Sequence, residues 1–129
     1  MKHITREDAP VQMKSGRKTW RICGAAANAL IHSDSMQGAY ACFSPKYGSM
    51  ESHKHELEYM YVIDAKDACV HFGENPDHLE NVHNLQPGDI LRPHDGEWHK
   101  FEFANEDGYV DFINLFAVPS AHVVNESDV

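Results

Sequence analysis

Several scarcities narrow the reading of this sequence before any motif does. Its 129 residues hold only three cysteines, Cys23, Cys42 and Cys69, scattered and odd in number. No CxxC pair occurs among them, so neither a disulfide framework nor a zinc knuckle is implied. No apolar run approaches the roughly 20 residues that a membrane-spanning helix needs. The opening stretch Met1-Lys2-His3-Ile4-Thr5-Arg6-Glu7-Asp8 lacks the apolar core of a secretory leader. A soluble, cytoplasmic protein with no membrane partner is the expectation. Positive charge is scarce as well: 11 Lys and Arg stand against 20 Asp and Glu, a net charge of −9 with histidine neutral. Nucleic acid is therefore not an expected partner, because a phosphate-tracking surface needs clustered cations. A small ligand stays open, since one buried cation can dominate a local field. Good helix formers are confined to Gly24-Ala25-Ala26-Ala27-Asn28-Ala29-Leu30-Ile31-His32. Three readings of that stretch remain: one helical turn, an irregular strand, or a loop over a barrel mouth.

What is present is a β pattern. Hydrophobic residues make up 42% of the chain, enough for a core. Short runs of branched and aromatic residues are punctuated by Gly, Pro, Asn and Asp. Strands are expected at 11–13, 18–23, 39–44, 57–63, 68–73, 79–85, 90–92, 98–103 and 109–118. Ser15-Gly16, Gln86-Pro87-Gly88-Asp89 and Asn105-Glu106-Asp107-Gly108 are turns. Asp64-Ala65-Lys66-Asp67 reads as a hairpin, and Asn105-Glu106-Asp107-Gly108 closes another. About ten short segments of this kind are the signature of an all-β sandwich or barrel. A single domain over 1–129 is expected, with its barrel core at about 11–119, a polar N-terminal arm and a loose C-terminal tail.

Ten histidines is a high count for this length. Two of them open His53-Lys54-His55-Glu56-Leu57-Glu58, just ahead of the strand run Tyr59-Met60-Tyr61-Val62-Ile63. Residues two apart on a strand share a face, so His53 and His55 point the same way. His99 lies far downstream, on the face expected to carry Phe101 and Phe103. Two or three imidazoles and one carboxylate hold a first-row divalent metal and leave positions open for a ligand. Glu58 is an odd number of residues beyond His55. It joins such a site only if Glu56-Leu57 bends or bulges to reset the register, and Glu56 is the alternative carboxylate.

These motifs, on this background, resemble the cupin superfamily. Gly48, His53, His55 and Glu58 occupy the places of the family's first motif, and Gly88, Pro93, Gly96 and His99 those of the second. The motifs and their flanking strands cover residues 39 to 118. The resemblance implies an all-β, cupin-type double-stranded β-helix (jelly-roll) barrel. It implies one divalent transition metal held by His53, His55, Glu58 and His99: Fe, Mn, Ni or Zn, or Zn or Cu should Glu58 not ligate. It also implies a small oxygen-bearing ligand, an organic acid or sugar derivative, and a homodimer. The reactions within its range are those of dioxygenases, isomerases or epimerases, decarboxylases and lyases. The alternative is a non-catalytic ligand-binding or sensing domain. Arg21 and Arg92 are candidate substrate anchors, and Tyr40, Tyr61 and Glu97 are candidate catalytic groups. Tyr59, Tyr61, Trp98, Phe101, Phe103, Phe112 and Phe116 are expected to fill pocket or core. His94 is expected at a rim, and His71, His78 and His83 in solvent unless they rim the mouth.

Overall fold

Strand-forming runs separated by Gly, Pro, Asn and Asp turns fold into two sheets that face each other. The computed structural model describes residues 1–54 and 58–117. Its strands are β1 (Val11–Lys14), β2 (Arg17–Gly24), β3 (Ile31–His32), β4 (Met36–Phe43), β5 (Glu58–Lys66), β6 (Ala68–Gly73), β7 (Asn81–Asn84), β8 (Ile90–Leu91), β9 (Trp98–Phe103) and β10 (Tyr109–Ala117). The larger sheet runs β1-β2-β4-β10-β5-β8, with β3 beside β2; the smaller runs β7-β6-β9. The β2–β3 pair is parallel and the other pairings are antiparallel. The all-β barrel expected from the turn spacing is therefore what forms. Among the described residues no helix is long and apolar enough to cross a membrane.

Two connections differ from the sequence reading. Residues 64–67 do not form a hairpin. Strand β5 continues to Lys66, and Asp67 alone, at φ 50°, passes the chain from the larger sheet to the smaller. A register shift opposite Asp111 and Phe112 precedes that corner, and such irregularities bend a strand. The turn before β10 is likewise a corner, because β9 and β10 belong to different sheets. The corners are tied together: Ala104 N donates to Asp67 O at 2.9 Å, and Asn105 Nδ2 to Asp67 Oδ2 at 3.0 Å. Gly108 permits this approach, since a Cβ there would lie 2.9 Å from Phe103 Cβ and 3.2 Å from Asp67 O. The Ala-rich stretch is neither helix nor regular strand; it bends through 25–30 and ends in β3.

Alternation then sorts the side chains. On β10, Val110, Phe112, Asn114 and Phe116 are buried while Leu115 is exposed. Their partners form successive inner layers: Phe112 with Val62 and Ala41, Asn114 with Met60 and Ala39, Phe116 with Glu58 and Gln37. Phe43, Phe101 and Phe112 pack with ring centroids 4.9–5.3 Å apart and fill the apolar part of the barrel. Tyr59 and Tyr61 depart from their expected pocket or core role. Each is 50% exposed on the outer face of β5, because Glu58, Met60 and Val62 take the inward positions.

Candidate metal centre

Three separate segments deliver a His and Glu cluster to the barrel interior. His99 is the second residue of β9 and points inward with Phe101. His53 lies outside β5 but forms an isolated antiparallel bridge with His99: His53 N donates to His99 O at 3.0 Å, and His99 N to His53 O at 2.8 Å. That pairing brings the two imidazoles together, with ring centroids 4.4 Å apart. Glu58 heads β5 and faces inward, its Oε1 3.6 Å from His99 Nε2, with both side chains only 2% exposed. Because His53 pairs with β9 rather than belonging to β5, counting residues along one strand does not relate it to Glu58. His55, Glu56 and the expected bend at Glu56-Leu57 lie outside the described residues. Among the described residues, no three His, Cys, Asp or Glu side chains already form a closed metal-holding group.

The cluster's surroundings suit a cation. His53 Nδ1 lies 3.2 Å from the carbonyl of Glu51. Donation there leaves Nε2 as the ring's lone-pair nitrogen, the arrangement usual for a metal-ligating histidine. Glu58 Oε1 is buried and makes no hydrogen bond among the described residues. Burial pushes the Glu58 carboxyl up to about 8, against the opposing pull of the Asn114 side chain and the Arg17 guanidinium. Burial likewise lowers His53, opposed by its contact with the Glu51 carbonyl and aided by Arg17. Imidazole nitrogens and a carboxylate oxygen are a donor set that fits a first-row divalent ion.

Arg17 and Asn114 were not singled out in the sequence, although strand parity marks both. Arg17 shares an inward face with Thr19 and Arg21, and Asn114 interrupts the apolar inner face of β10. A polar residue on an inward face is the informative exception. Asn114 Oδ1 also accepts from Ala39 N at 3.0 Å, which fixes its amide. Arg17, His53, Glu58 and Met60 surround a narrow interior gap of about 10 Å³. A larger cavity of about 210 Å³ opens between β8 and the smaller sheet, with Met60 and His99 in its wall.

The remaining candidates distribute unevenly. Arg92, His94 and Glu97 line the larger cavity, as does His83, which stacks on Phe72 at 4.8 Å. Glu97 Oε1 also accepts from His94 N at 3.3 Å, closing their turn. Arg21 is not at a ligand-accessible place: it is 2% exposed and donates from Nη2 to Gln12 Oε1 at 2.8 Å. Tyr61 and Tyr40 do not join the cluster, because each faces the outside of the larger sheet. Tyr40 OH there accepts from Arg6 Nη1 at 2.9 Å, and the Arg6 guanidinium lies 5.4 Å from the Trp20 ring centroid. The N-terminal arm thus covers that outer face. His71 pairs with Glu102 at 3.2 Å, and His78 sits in the β6–β7 loop.

The sequence matches no protein-family model and no curated protein. Solved structures do resemble it. A polyketide cyclase from Streptomyces resistomycificus superposes with a TM-score of 0.60 at 20% identity, covering 99% of this chain and 89% of that one. An oxalate decarboxylase from Lactobacillus farciminis, in a formate complex, gives 0.61 at 19% identity over 86% of this chain and 31% of that one. A transcriptional regulator from Vibrio cholerae gives 0.52 at 18% identity, over 81% and 52%. This chain therefore spans about a third of the decarboxylase and half of the regulator. These likenesses establish the cupin fold. They establish no chemistry, since one fold hosts many functions.

Proposed function

We propose that this cupin barrel is a metal-dependent enzyme for a small oxygen-bearing metabolite, with one divalent transition metal held by His53, His55, Glu58 and His99. The observation that carries the reading is the meeting of His53, Glu58 and His99, from three segments, in a buried position beside a cavity. Fe, Mn, Ni or Zn suits a mixed imidazole and carboxylate set. Such an ion, when bound, polarises a carbonyl or carboxylate oxygen, or activates O₂ if it is iron. The protein's own groups do the rest. The Glu51 carbonyl holds the His53 tautomer, the Asn114 amide steadies Glu58, and the Arg17 guanidinium adds positive charge facing an anionic ligand. The surrounding apolar side chains keep water from the cluster.

The test is the metal content of untagged protein purified without added metal, followed by titration of Fe(II), Mn(II), Ni(II) and Zn(II) into the stripped chain. One ion per chain, lost together in His53→Ala and His99→Ala, is the expected result. Histidine variants that bind like the parent would defeat the proposal. A second reading, a non-catalytic sensing barrel, draws support from the likeness to a transcriptional regulator. It predicts ligand binding without turnover by the metal-loaded protein.

A further inference from the structure

We infer that the cleft between the N-terminal arm and the outer face of the larger sheet is a second ligand site, and that it takes a small guanidino acid in the place held by Arg6. The inference stands apart from the metal reading, because the cleft lies across the sheet from His53, Glu58 and His99.

Strand parity builds the cleft. Trp20 stands between the buried Thr19 and Arg21, Tyr40 between Ala39 and Ala41, and Asp111 between Val110 and Phe112, so all three point outward. Backbone register sets Trp20 beside Tyr40 and Asp111 beside Cys42. The Trp20 and Tyr40 rings meet edge-on with centroids 5.2 Å apart. The Arg6 guanidinium lies 5.4 Å from the Trp20 centroid and 5.2 Å from that of Tyr40. Its Nη1 donates to Tyr40 OH at 2.9 Å, and that hydroxyl donates on to the Asp111 carboxylate. Burial, with Asp111 beside it, pushes the Cys42 thiol up to about 12, so the thiol keeps its proton and donates to Asp111 as well. Two aromatic rings and a carboxylate oriented by two donors are the groups that recognise a guanidinium. The structure thus shows this site with a guanidinium in it.

Two features point beyond Arg6 to a free ligand. The first is room. About 400 Å³ stays open beside the Arg6 side chain, within the roughly 300–1,000 Å³ of small-molecule pockets. The second is charge. Among the described residues, Arg6, Glu7, Lys18 and Asp111 are the charged lining of the cleft. When the arm lifts, Arg6 and Glu7 leave together, and one cation and one anion remain. Lys18 Nζ lies 5.1 Å from the centroid of the same Trp20 ring and pairs with no carboxylate among the described residues. A molecule with a guanidinium at one end and a carboxylate at the other matches both charges. Its guanidinium replaces that of Arg6 over the two rings and Tyr40 OH, and its carboxylate meets Lys18. Lifting the arm costs little. Its turn is closed from within, by Thr5 Oγ1 donating to Asp8 Oδ2 at 2.8 Å and by Ala9 N donating to Thr5 O at 3.1 Å, and residues 5–8 are already exposed.

Calorimetric titrations of the full-length protein compare 4-guanidinobutyrate, its amide, and 4-ureidobutyrate, in which a neutral urea replaces the guanidinium. Arg6→Ala should bind the guanidino acid at least about tenfold more tightly than the parent, because it removes an internal competitor. In Arg6→Ala the ureido acid should bind at least about tenfold more weakly than the guanidino acid, as the loss of hydrogen bonds between charged groups implies, and the amide a few-fold more weakly. Lys18→Gln added to Arg6→Ala should erase the difference between acid and amide. Asp111→Asn added instead should erase the difference between guanidino and ureido acids. Trp20 fluorescence in a Trp98→Phe background should saturate with the same affinity, which puts the ligand at the cleft. Four outcomes would each overturn the inference: no saturable binding to Arg6→Ala, affinity there no higher than the parent's, equal binding of the guanidino and ureido acids, or an amide that binds as well as the acid. The last of these would assign the cleft to an arginine side chain of a partner protein. Thermal melts separate these outcomes from misfolding, and the Arg6 and Lys18 variants decide the case if Asp111→Asn does not fold.

Discussion

Near the Asp67 corner, the inner faces of β4, β5 and β10 carry Phe43, Ala41, Val62, Val110 and Phe112. Farther along the same three strands they carry Gln37, Glu58 and Asn114, and Arg21 on β2 pairs with Ala39 beside them. The first region gains free energy from burial and from ring contacts. The second spends it, because each buried polar group must recover the hydrogen bonds it had in water. Asn114 recovers one by accepting from Ala39 N, and Arg21 one by donating to Gln12. Glu58 Oε1 recovers none among the described residues. A fold that needed only stability would have continued the apolar pattern to the end. Its interruption at these positions is what the proposed site accounts for.

The largest effect should come from the apolar region. Phe112→Ala removes a ring that touches Phe43 and Phe101 and is 1% exposed. A loss of about 3–5 kcal/mol is expected, read by urea unfolding, as for other buried aromatic truncations. The next effect divides the two regions. Glu58→Gln should lower metal affinity on the order of 100-fold, the upper end of what even outer-shell losses cost. It should leave the melting temperature of the stripped protein near neutral pH unchanged, because burial already holds that carboxyl largely neutral and an amide of the same shape takes its place. Glu56→Gln should bind metal like the parent. A Glu58→Gln protein that melted early and kept its metal would reverse the contrast and assign Glu58 to the framework.

Much of this contrast could be read from the chain. The strand runs and the positions of the turns depend on local pattern, and the all-β barrel they imply is what forms; that His53, Glu58 and His99 hold a metal is the proposal made above. Three things did not follow from local pattern. Parity groups Tyr59 with Tyr61 and Met60 with Val62, but both sets are large and apolar, so it does not say which faces inward. The Asp67 and Asn105–Gly108 turns look like hairpins locally; that each changes sheet depends on the partners of β6 and β9, which lie far away in sequence. Arg21 has the composition of a surface residue, and its burial depends on Gln12 reaching it from the neighbouring strand.

A smaller effect tests whether the polar region is held by hydrogen bonding. Asn114→Ala leaves the Ala39 amide without its acceptor. A buried donor stranded in this way costs about 1–3 kcal/mol. Metal affinity should fall less than in Glu58→Gln, because the amide steadies the carboxylate and is not itself an expected ligand. Chemical unfolding and metal titration on one preparation give both numbers. A metal loss as large as that of Glu58→Gln would make Asn114 part of the site in its own right.

The smallest effect concerns the opposite side of the same sheet, at Tyr40. Its neighbours on β4, Ala39 and Ala41, face the interior, while its hydroxyl meets Arg6 outside. Tyr40→Phe deletes that hydroxyl and keeps the ring, so the Arg6 guanidinium retains its stacking on Trp20. The stability cost should not exceed about 1 kcal/mol, within the net worth of one hydrogen bond. Metal affinity should match the parent, since a strand's thickness separates Tyr40 from His53, Glu58 and His99. Trp20 fluorescence should respond, because the arm that lies over it is held less firmly. If Tyr40→Phe instead lowered metal affinity tenfold, the sheet would not insulate its two faces, and the separation between an outer surface for the arm and an inner one for the site would fail.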